Sequence, residues 1–563
     1  MRWAAAKLDM GEGGAGTGVP VLAYLLLALL AVALYLPGFT DIPPFDRDEA
    51  RFAQASYQML ESGNLIDIRF QDETRYKKPI GIYWLQTAAT GLIDGWTGGS
   101  DKVIWTYRVP SMVGAVASVL LTAWVGARLF GPATGVLAAV MLAGCVVLGV
   151  EARMAKTDAV LLATILAAQA ALAYLYMNRD KPPGGRAAPL AFWIAVGISV
   201  LIKGPLVLLV SGTTVAGLAV WERRIVWLKR LKPLMGLGIV VAIAAPWLIA
   251  IAIQTKGAFF AESVGHDMLG KVAGGQEGKG LPPGYYLGTF WITFAPWPFL
   301  TLLALPWVWA NRRSDAVRFC VCWIVPSWVV FEAVPTKLLH YTLPVFPAIA
   351  LLTAQALRDG FARTAERPRR ALTRAAVGLG AGTYTVLAVG IAVVPWLIDR
   401  RVEWAALAML PPVLALYAWG VRLVVRGQEL RGVAAALGSA AVLYAATYAI
   451  VLPGVEGLWI SRSAAQVVSA VRPCPTTTVA SAGYSEPSLV FLVGTRTKLV
   501  AGDGAAKHLM DDRACALALV DQREEARFRS ALDGVEPKPL GEVHGLNYNN
   551  GRRIALTLYA APP

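Results

Sequence analysis

Residues 151–181, EARMAKTDAVLLATILAAQAALAYLYMNRDK, hold the plan of the whole chain in one stretch. A charged turn leads into an uninterrupted apolar segment at 159–177, which stops at Asn178, Arg179 and Lys181. About 20 helical residues cross the roughly 30 Å hydrocarbon core of a bilayer, so the apolar segment reads as one membrane span. Working outward, runs at 19–36, 109–129 and 132–150 precede it, and others follow near 188–202, 205–221, 234–254, 285–310, 317–335, 341–357, 372–397, 404–421 and 432–452. The pattern predicts a polytopic α-helical membrane protein with about 13 spans. The first run has no small-residue cleavage site after it and reads as an uncleaved anchor.

Composition agrees. Of 563 residues, 56% are apolar and 16% charged, and the mean hydropathy is +0.53. These values exclude a soluble globular protein.

Short loops that keep Lys and Arg mark the cytoplasmic side. Arg223, Arg224, Lys229, Arg230 and Lys232 crowd one loop; Arg358, Arg363, Arg367, Arg369, Arg370 and Arg374 crowd another; Arg179, Lys181, Arg186, Arg312, Arg313, Arg422, Arg426 and Arg431 share their parity. The expected topology puts the N-terminus in the cytoplasm. Residues 38–108 and 256–284, the turns at 151–158, 203–205 and 336–341, and everything past 453 then lie outside. The formal charge of +15 is largely that of cytoplasmic loops and requires no nucleic-acid partner.

Two domains are expected: a transmembrane part at 1–453, and an outer α/β domain at 454–563 with strand-like runs at 476–480, 489–493, 516–520 and 554–559 and helix-like runs at 463–471 and 523–532. Cys474 and Cys515 would share an oxidising compartment, which makes a disulfide between them one hypothesis.

The outer loops carry the chemistry. The first contains PPFDRDEARFAQ at 43–54, a rigid turn entering an amphipathic helix whose apolar face, Phe52, Ala55, Met59 and Leu60, is expected to lie along the membrane surface. Asp46 and Glu49 have capping-box spacing, which accounts for both acids structurally. Asp48 is left spare between Arg47 and Arg51, which would hold it ionised. Tyr76, Lys77, Lys78 and Tyr83 follow, and the lysines can either meet a phosphate or snorkel to lipid headgroups. Asp158, Lys203, Lys337, His340 and Tyr341 stand at outer ends of spans, where a charge is expensive unless it is paired or functional. Asp158 alternatively starts its helix behind Thr157, and His340 alternatively serves as an interfacial donor. In the glycine-rich loop at 256–284, which reads as a mobile cover, His266 is a further candidate.

Together these stretches resemble the bacterial lipid A aminoarabinose transferases, polyprenyl-phosphate-dependent glycosyltransferases of the GT-C type related to protein O-mannosyltransferases. The resemblance runs along essentially the whole chain. It rests on DRDEAR at 46–51, Lys77-Lys78-Pro79, RMAKTD at 153–158, KLLHYTLP at 337–344 with Pro347, and Glu486-Pro487-Ser488-Leu489. It implies transfer of 4-amino-4-deoxy-L-arabinose from undecaprenyl phosphate to a lipid A phosphate on the periplasmic face of the inner membrane, and hence polymyxin resistance. Asp48, Glu49 and Asp158 would be catalytic. Tyr76, Lys77, Lys78, Tyr83, Lys203, His266, Lys337, His340 and Tyr341 would bind substrate. No cofactor is required, since lysines can carry phosphate charge; Glu49, His266 and His340 are the candidate ligands for a zinc ion. The alternatives are a related transferase with a protein or other glycan acceptor and, from another class, a lipid transporter or flippase, against which the absence of a persuasive internal repeat counts.

Overall fold

The expected apolar runs are helical over most of their length in the computed structural model, which describes residues 18–99, 102–182, 185–263, 265, 280–360 and 367–562. In chain order the first elements are α1 (Val21–Tyr35), α2 (Arg47–Ser62), a hairpin of β1 (Arg69–Phe70) and β2 (Glu73–Thr74), α3 (Gly81–Thr97), α4 (Ile104–Phe130), α5 (Pro132–Ala143), α6 (Val146–Glu151), α7 (Asp158–Met177), α8 (Ala187–Lys203), α9 (Leu206–Glu222) and α10 (Pro233–Gln254). Among the described residues, seven helices are long and apolar enough to cross a membrane, and five more apolar helices, α1, α5, α8, α9 and Leu343–Arg358, are shorter.

Two of the expected spans are not straight. The run at 132–150 breaks between α5 and α6 at Gly144 and Cys145. The run at 285–310 bends by 118° between Tyr285–Thr293 and Pro298–Ala310. Pro296 falls in that break and Pro298 opens the second helix, and each withholds a backbone N–H that a continuing helix would need.

Burial orders the helices. In α7, 72% of the apolar window is buried, against 22% in α10. α7 is therefore central and α10 peripheral. Val21, Leu22, Leu25, Leu26 and Leu29 of α1 stand exposed, a belt that would aggregate in water and that lipid satisfies. Small residues let α4 and α5 touch: a Cβ on Gly135 would lie 2.3 Å from the Ala123 carbonyl oxygen, the close backbone approach typical of membrane helix pairs.

Past the last long helix, β3 (Thr478–Ala482), β4 (Lys498–Val500), β5 (Ala516–Asp521), β6 (Lys538–Asn547) and β7 (Arg552–Ala560) form a sheet in the order β4-β3-β5-β7-β6. β3 pairs parallel with β4 and β5, and β7 antiparallel with β5 and β6. Alternation along β5 explains the two layers: Leu517 and Leu519 meet Ile460, Ala464 and Val468 of helix Ile460–Val471, while Ala518 and Val520 meet Ala505 and Leu509 of helix Gly502–Asp511. The run at 489–493, expected as a strand, is instead inside helix Pro487–Val493. Pro487 at its first position starts that helix, and a short apolar run carries no period to say so beforehand. Cys474 and Cys515 are disulfide-bonded, with Cα atoms 5.4 Å apart.

The sheet unit docks on α2. Arg47 pairs with Glu486 at 3.1 Å, Gln54 Nε2 donates to Thr495 Oγ1 at 3.0 Å, and Phe45 stacks on Tyr548 with ring centroids 5.2 Å apart. Phe52, Ala55 and Met59 are buried on one face of α2, but Gln54, Ser56 and Tyr57 are buried as well. α2 is thus sandwiched between protein layers, which corrects the expected helix lying along the membrane surface.

Candidate active site

Three turns and a helix start bring the predicted polar residues together. Asp46 caps α2, accepting the Asp48 N–H at 2.6 Å. Its other carboxylate oxygen takes Lys156 Nζ at 3.2 Å. Lys156 lies 3.9 Å from Glu151 Oε1, the same oxygen that meets His340 Nδ1 at 3.2 Å. On its far side His340 Nε2 is 3.4 Å from Asp158 Oδ1, which accepts Lys203 Nζ at 2.5 Å. One polar chain therefore links the start of α2, the turn before α7, the end of α8 and the 340 turn. Lys203 also sits 5.5 Å from the Tyr341 ring centroid, so Tyr341 borders the same cluster.

Asp48 opens from this chain toward solvent. Its side chain is 50% exposed, with Arg51 at 3.4 Å and Arg75, 7% exposed, at 3.5 Å. Partial burial works to raise the carboxyl pKa, but Arg75, Lys156, Arg51 and Lys78 outweigh it and hold the group well below the usual carboxylate range. At Lys156 burial opposes the charge, and Glu151, Asp46, Asp158 and Asp48 together push its pKa up. Lys78 is half-buried and acts on Asp48, whereas Lys77 is exposed. Sequence reasoning missed Arg75, although it adjoins Tyr76-Lys77-Lys78 and shares their positive charge; its buried Nε has no hydrogen-bond partner among the described residues.

Four expected site residues have structural work instead. Glu49 is fully buried: Arg108 Nε donates to Oε1 at 2.7 Å and Nη2 to Oε2 at 3.3 Å, while the backbone N–H groups of Phe45 and Ala155 take the remaining lone pairs at 2.8 and 3.0 Å. Arg108 also donates to the carbonyls of Phe39, Ile42 and Pro43, so the pair clamps the first loop to α4 and leaves Glu49 with no capacity for substrate or metal. The Lys337 ammonium donates to the Glu332 and Val334 carbonyls, both at 2.7 Å, capping the helix Asp315–Ala333. Tyr83 is fully buried, its ring 5.3 Å from that of Phe52. Tyr76 turns its hydroxyl to Asp67 Oδ1 at 3.0 Å and its ring to Phe259; burial first, and then Asp67, push its pKa up to about 12. His266 lies outside the described residues.

For a cation, Glu151, Asp158 and His340 offer ligand atoms within 4.8 Å of one another. Lys203 and Lys156 already reach those same carboxylate oxygens, so a metal would have to displace an ammonium to bind there.

Residues 77–249 match the family described as dolichyl-phosphate-mannose-protein mannosyltransferase. The chain is 28% identical over 376 residues to the undecaprenyl phosphate-alpha-4-amino-4-deoxy-L-arabinose arabinosyl transferase of Erwinia tasmaniensis, covering 66% of this chain and 65% of that one. To the corresponding enzyme 1 of Pseudomonas fluorescens it is 26% identical, covering 60% and 58%. The chain thus spans somewhat less than two thirds of the length of these relatives. Among solved structures, ArnT from Cupriavidus metallidurans, crystallised with undecaprenyl phosphate, superposes with a TM-score of 0.73 at 17% identity, covering 95% of this chain and 97% of ArnT. The oligosaccharyltransferase of Archaeoglobus fulgidus superposes at 0.54 with 12% identity, covering 96% of this chain and 74% of that one. The protein is a polytopic α-helical membrane protein with the fold of ArnT.

Proposed function

We propose that the chain transfers 4-amino-4-deoxy-L-arabinose from undecaprenyl phosphate to a phosphate of lipid A, on the periplasmic face of the inner membrane, with the N-terminus in the cytoplasm. The observation that carries this reading is the polar chain from Asp46 through Lys156, Glu151, His340 and Asp158 to Lys203, with Asp48 and its ring of cations at the open end. Names of the relatives support the donor. The acceptor rests on the motif resemblance, and the sidedness on the loops that retain Lys and Arg.

In the proposed reaction a lipid A phosphate oxygen forms a bond to the sugar's anomeric carbon. The bond from that carbon to the undecaprenyl phosphate oxygen breaks, and the leaving phosphate keeps the electron pair. Phosphate is already largely ionised at neutral pH, so little base catalysis is needed. Asp48, held ionised, is a poor proton acceptor and is suited to stabilising positive charge that develops on the sugar. Lys78 and Arg75 are placed to offset phosphate charge, an electrostatic contribution that grows where water is scarce. Lysines can fill this role without a resident metal.

The test combines purified protein, undecaprenyl-phosphate-aminoarabinose and lipid A and weighs the lipid A by mass spectrometry. Added aminoarabinose is expected. No gain in mass, or a gain undiminished by Asp48→Ala, would sink the proposal. In cells the intact protein is expected to confer polymyxin resistance and the variant to lose it.

A further inference from the structure

A large apolar hollow lies away from the Asp48 cluster, at the opposite ends of the helices. α1, α4, α7 and α8 enclose a cavity of about 990 Å³, at the upper end of the roughly 300–1,000 Å³ range of small-molecule sites. Ala170 and Ala171 of α7 and Ala188 and Ala191 of α8 hollow its wall, while Tyr24 and Trp124 close its sides. Small side chains on facing helices leave room that longer ones would fill. The cavity opens to the protein surface.

Its rim is basic. Lys181, Arg230 and Lys232 border the cavity, and Arg128 stacks over the Trp124 ring at 5.0 Å. Arg230 is partly occupied, donating to the Asn178 carbonyl at 2.6 Å and to that of Lys181, so it pins the rim loop in place. Neither Lys181 nor Lys232 has a carboxylate within ion-pair distance among the described residues. Nearby acids pair with other cations: Asp180 with Arg179 and Arg224, each at 3.9 Å, and Glu222 and Asp315 with Arg179 and Arg318. An apolar cleft between helices with unpaired cations at its mouth complements one chemistry, apolar tails carrying an anionic head.

We infer that this cleft binds an anionic glycerophospholipid of the cytoplasmic leaflet, its acyl chains between α4, α7 and α8 and its headgroup phosphate against Lys181 and Lys232. The inference rests on the topology proposed above, which puts this rim on the cytoplasmic side. A lipid held there would join α1, α7 and α8 at the end opposite the catalytic cluster, and so brace the scaffold from which Asp158 and Lys203 project.

Native mass spectrometry of the detergent-purified full chain, titrated with phosphatidylglycerol or with phosphatidylcholine of the same acyl chains, tests it without recourse to transferase activity. The wild type is expected to retain one phosphatidylglycerol in preference to phosphatidylcholine. Removing both lysines (Lys181→Ala with Lys232→Ala) is expected to weaken that binding roughly thirtyfold, and Ala188→Trp, which fills the cleft and leaves the charges, to abolish it for either lipid. Equal retention of the two lipids, unchanged binding by the double variant, or displacement of phosphatidylglycerol by undecaprenyl phosphate at equal concentration would each overturn the inference. Failure here leaves the transferase reading standing, because that is read by mass gain on lipid A; cysteine labelling of position 181 from either side of sealed vesicles tests the shared topology separately.

Discussion

Two neighbouring carboxylates at the start of α2 live in opposite worlds. Glu49 is fully buried and every lone pair is used by Arg108 or a backbone N–H. Asp48 is half-exposed, faces several cations, and still presents surface to solvent. The difference separates holding a structure together from acting on a substrate: a charge balanced on all sides has nothing left to offer a ligand, whereas a half-open anion amid surplus cations does. The same contrast divides Lys337, spent on helix carbonyls, from Lys78, whose charge reaches Asp48.

The largest effect that could break the contrast belongs to the closed side. Glu49→Ala leaves the Arg108 guanidinium buried without a countercharge, a change that costs about 3–5 kcal/mol when one partner of a buried pair is removed. A large drop in the thermal unfolding midpoint of the purified protein is expected, with activity lost along with the fold. A variant that stays as stable as wild type but is inactive would move Glu49 into the catalytic group.

On the open side the expectation is reversed. Asp48→Asn should leave the unfolding midpoint nearly unchanged and slow transfer by about 10²–10³-fold, the typical loss when one preorganised electrostatic contact to a transition state is removed. Mass-spectrometric initial rates on lipid A measure it. Normal rates in a folded protein would erase the distinction.

How much of this was legible beforehand depends on what each residue's neighbours are. The apolar helices were readable because apolar length is a local fact, and the acids of 46–51 stood out because a membrane makes charge costly. The pairing of Glu49 with Arg108 was not readable, since the two are far apart in sequence and either could have found another partner; an arginine at the outer end of a span was the available signal. Lys337 looked like a ligand for the same reason, and Tyr83 through the resemblance alone. Their occupation by Phe52 and by helix carbonyls depends on tertiary packing. Arg75 was hidden among more conspicuous lysines, and the second buried face of α2 required the sheet unit to be docked on it. The run at 489–493 reads as a strand from sequence, since five apolar residues carry too little period to show that they belong to helix Pro487–Val493.

A smaller effect sharpens the contrast within the Lys pair. Lys78→Gln is expected to raise the apparent KM for the lipid-linked donor about tenfold, the worth of one charge-assisted contact. Lys77→Gln, at an exposed position, should change it less than about twofold. Equal effects would mean that burial beside Asp48 does not select the phosphate-binding lysine.

The smallest expected effect concerns pH and tests the charge state on which the open side depends. Burial alone would raise the Asp48 pKa, but Arg75, Lys156, Arg51 and Lys78 depress it below the ordinary aspartate value of about 3.9. A depressed folded pKa means that the folded chain binds this proton less readily than the unfolded one. The stabilisation it contributes is therefore fully present above the unfolded value and disappears only as pH falls through the lower folded value. Between pH 8 and pH 5 the group stays ionised, so kcat/KM of wild type and of Asp48→Asn should run parallel, their ratio changing by less than about twofold. A ratio that closes toward pH 5 would show Asp48 taking up a proton in that range, as a general base with a raised pKa would. The surrounding cations would then not govern its charge, and the division between a closed structural carboxylate and an open electrostatic one would have to be redrawn around proton transfer.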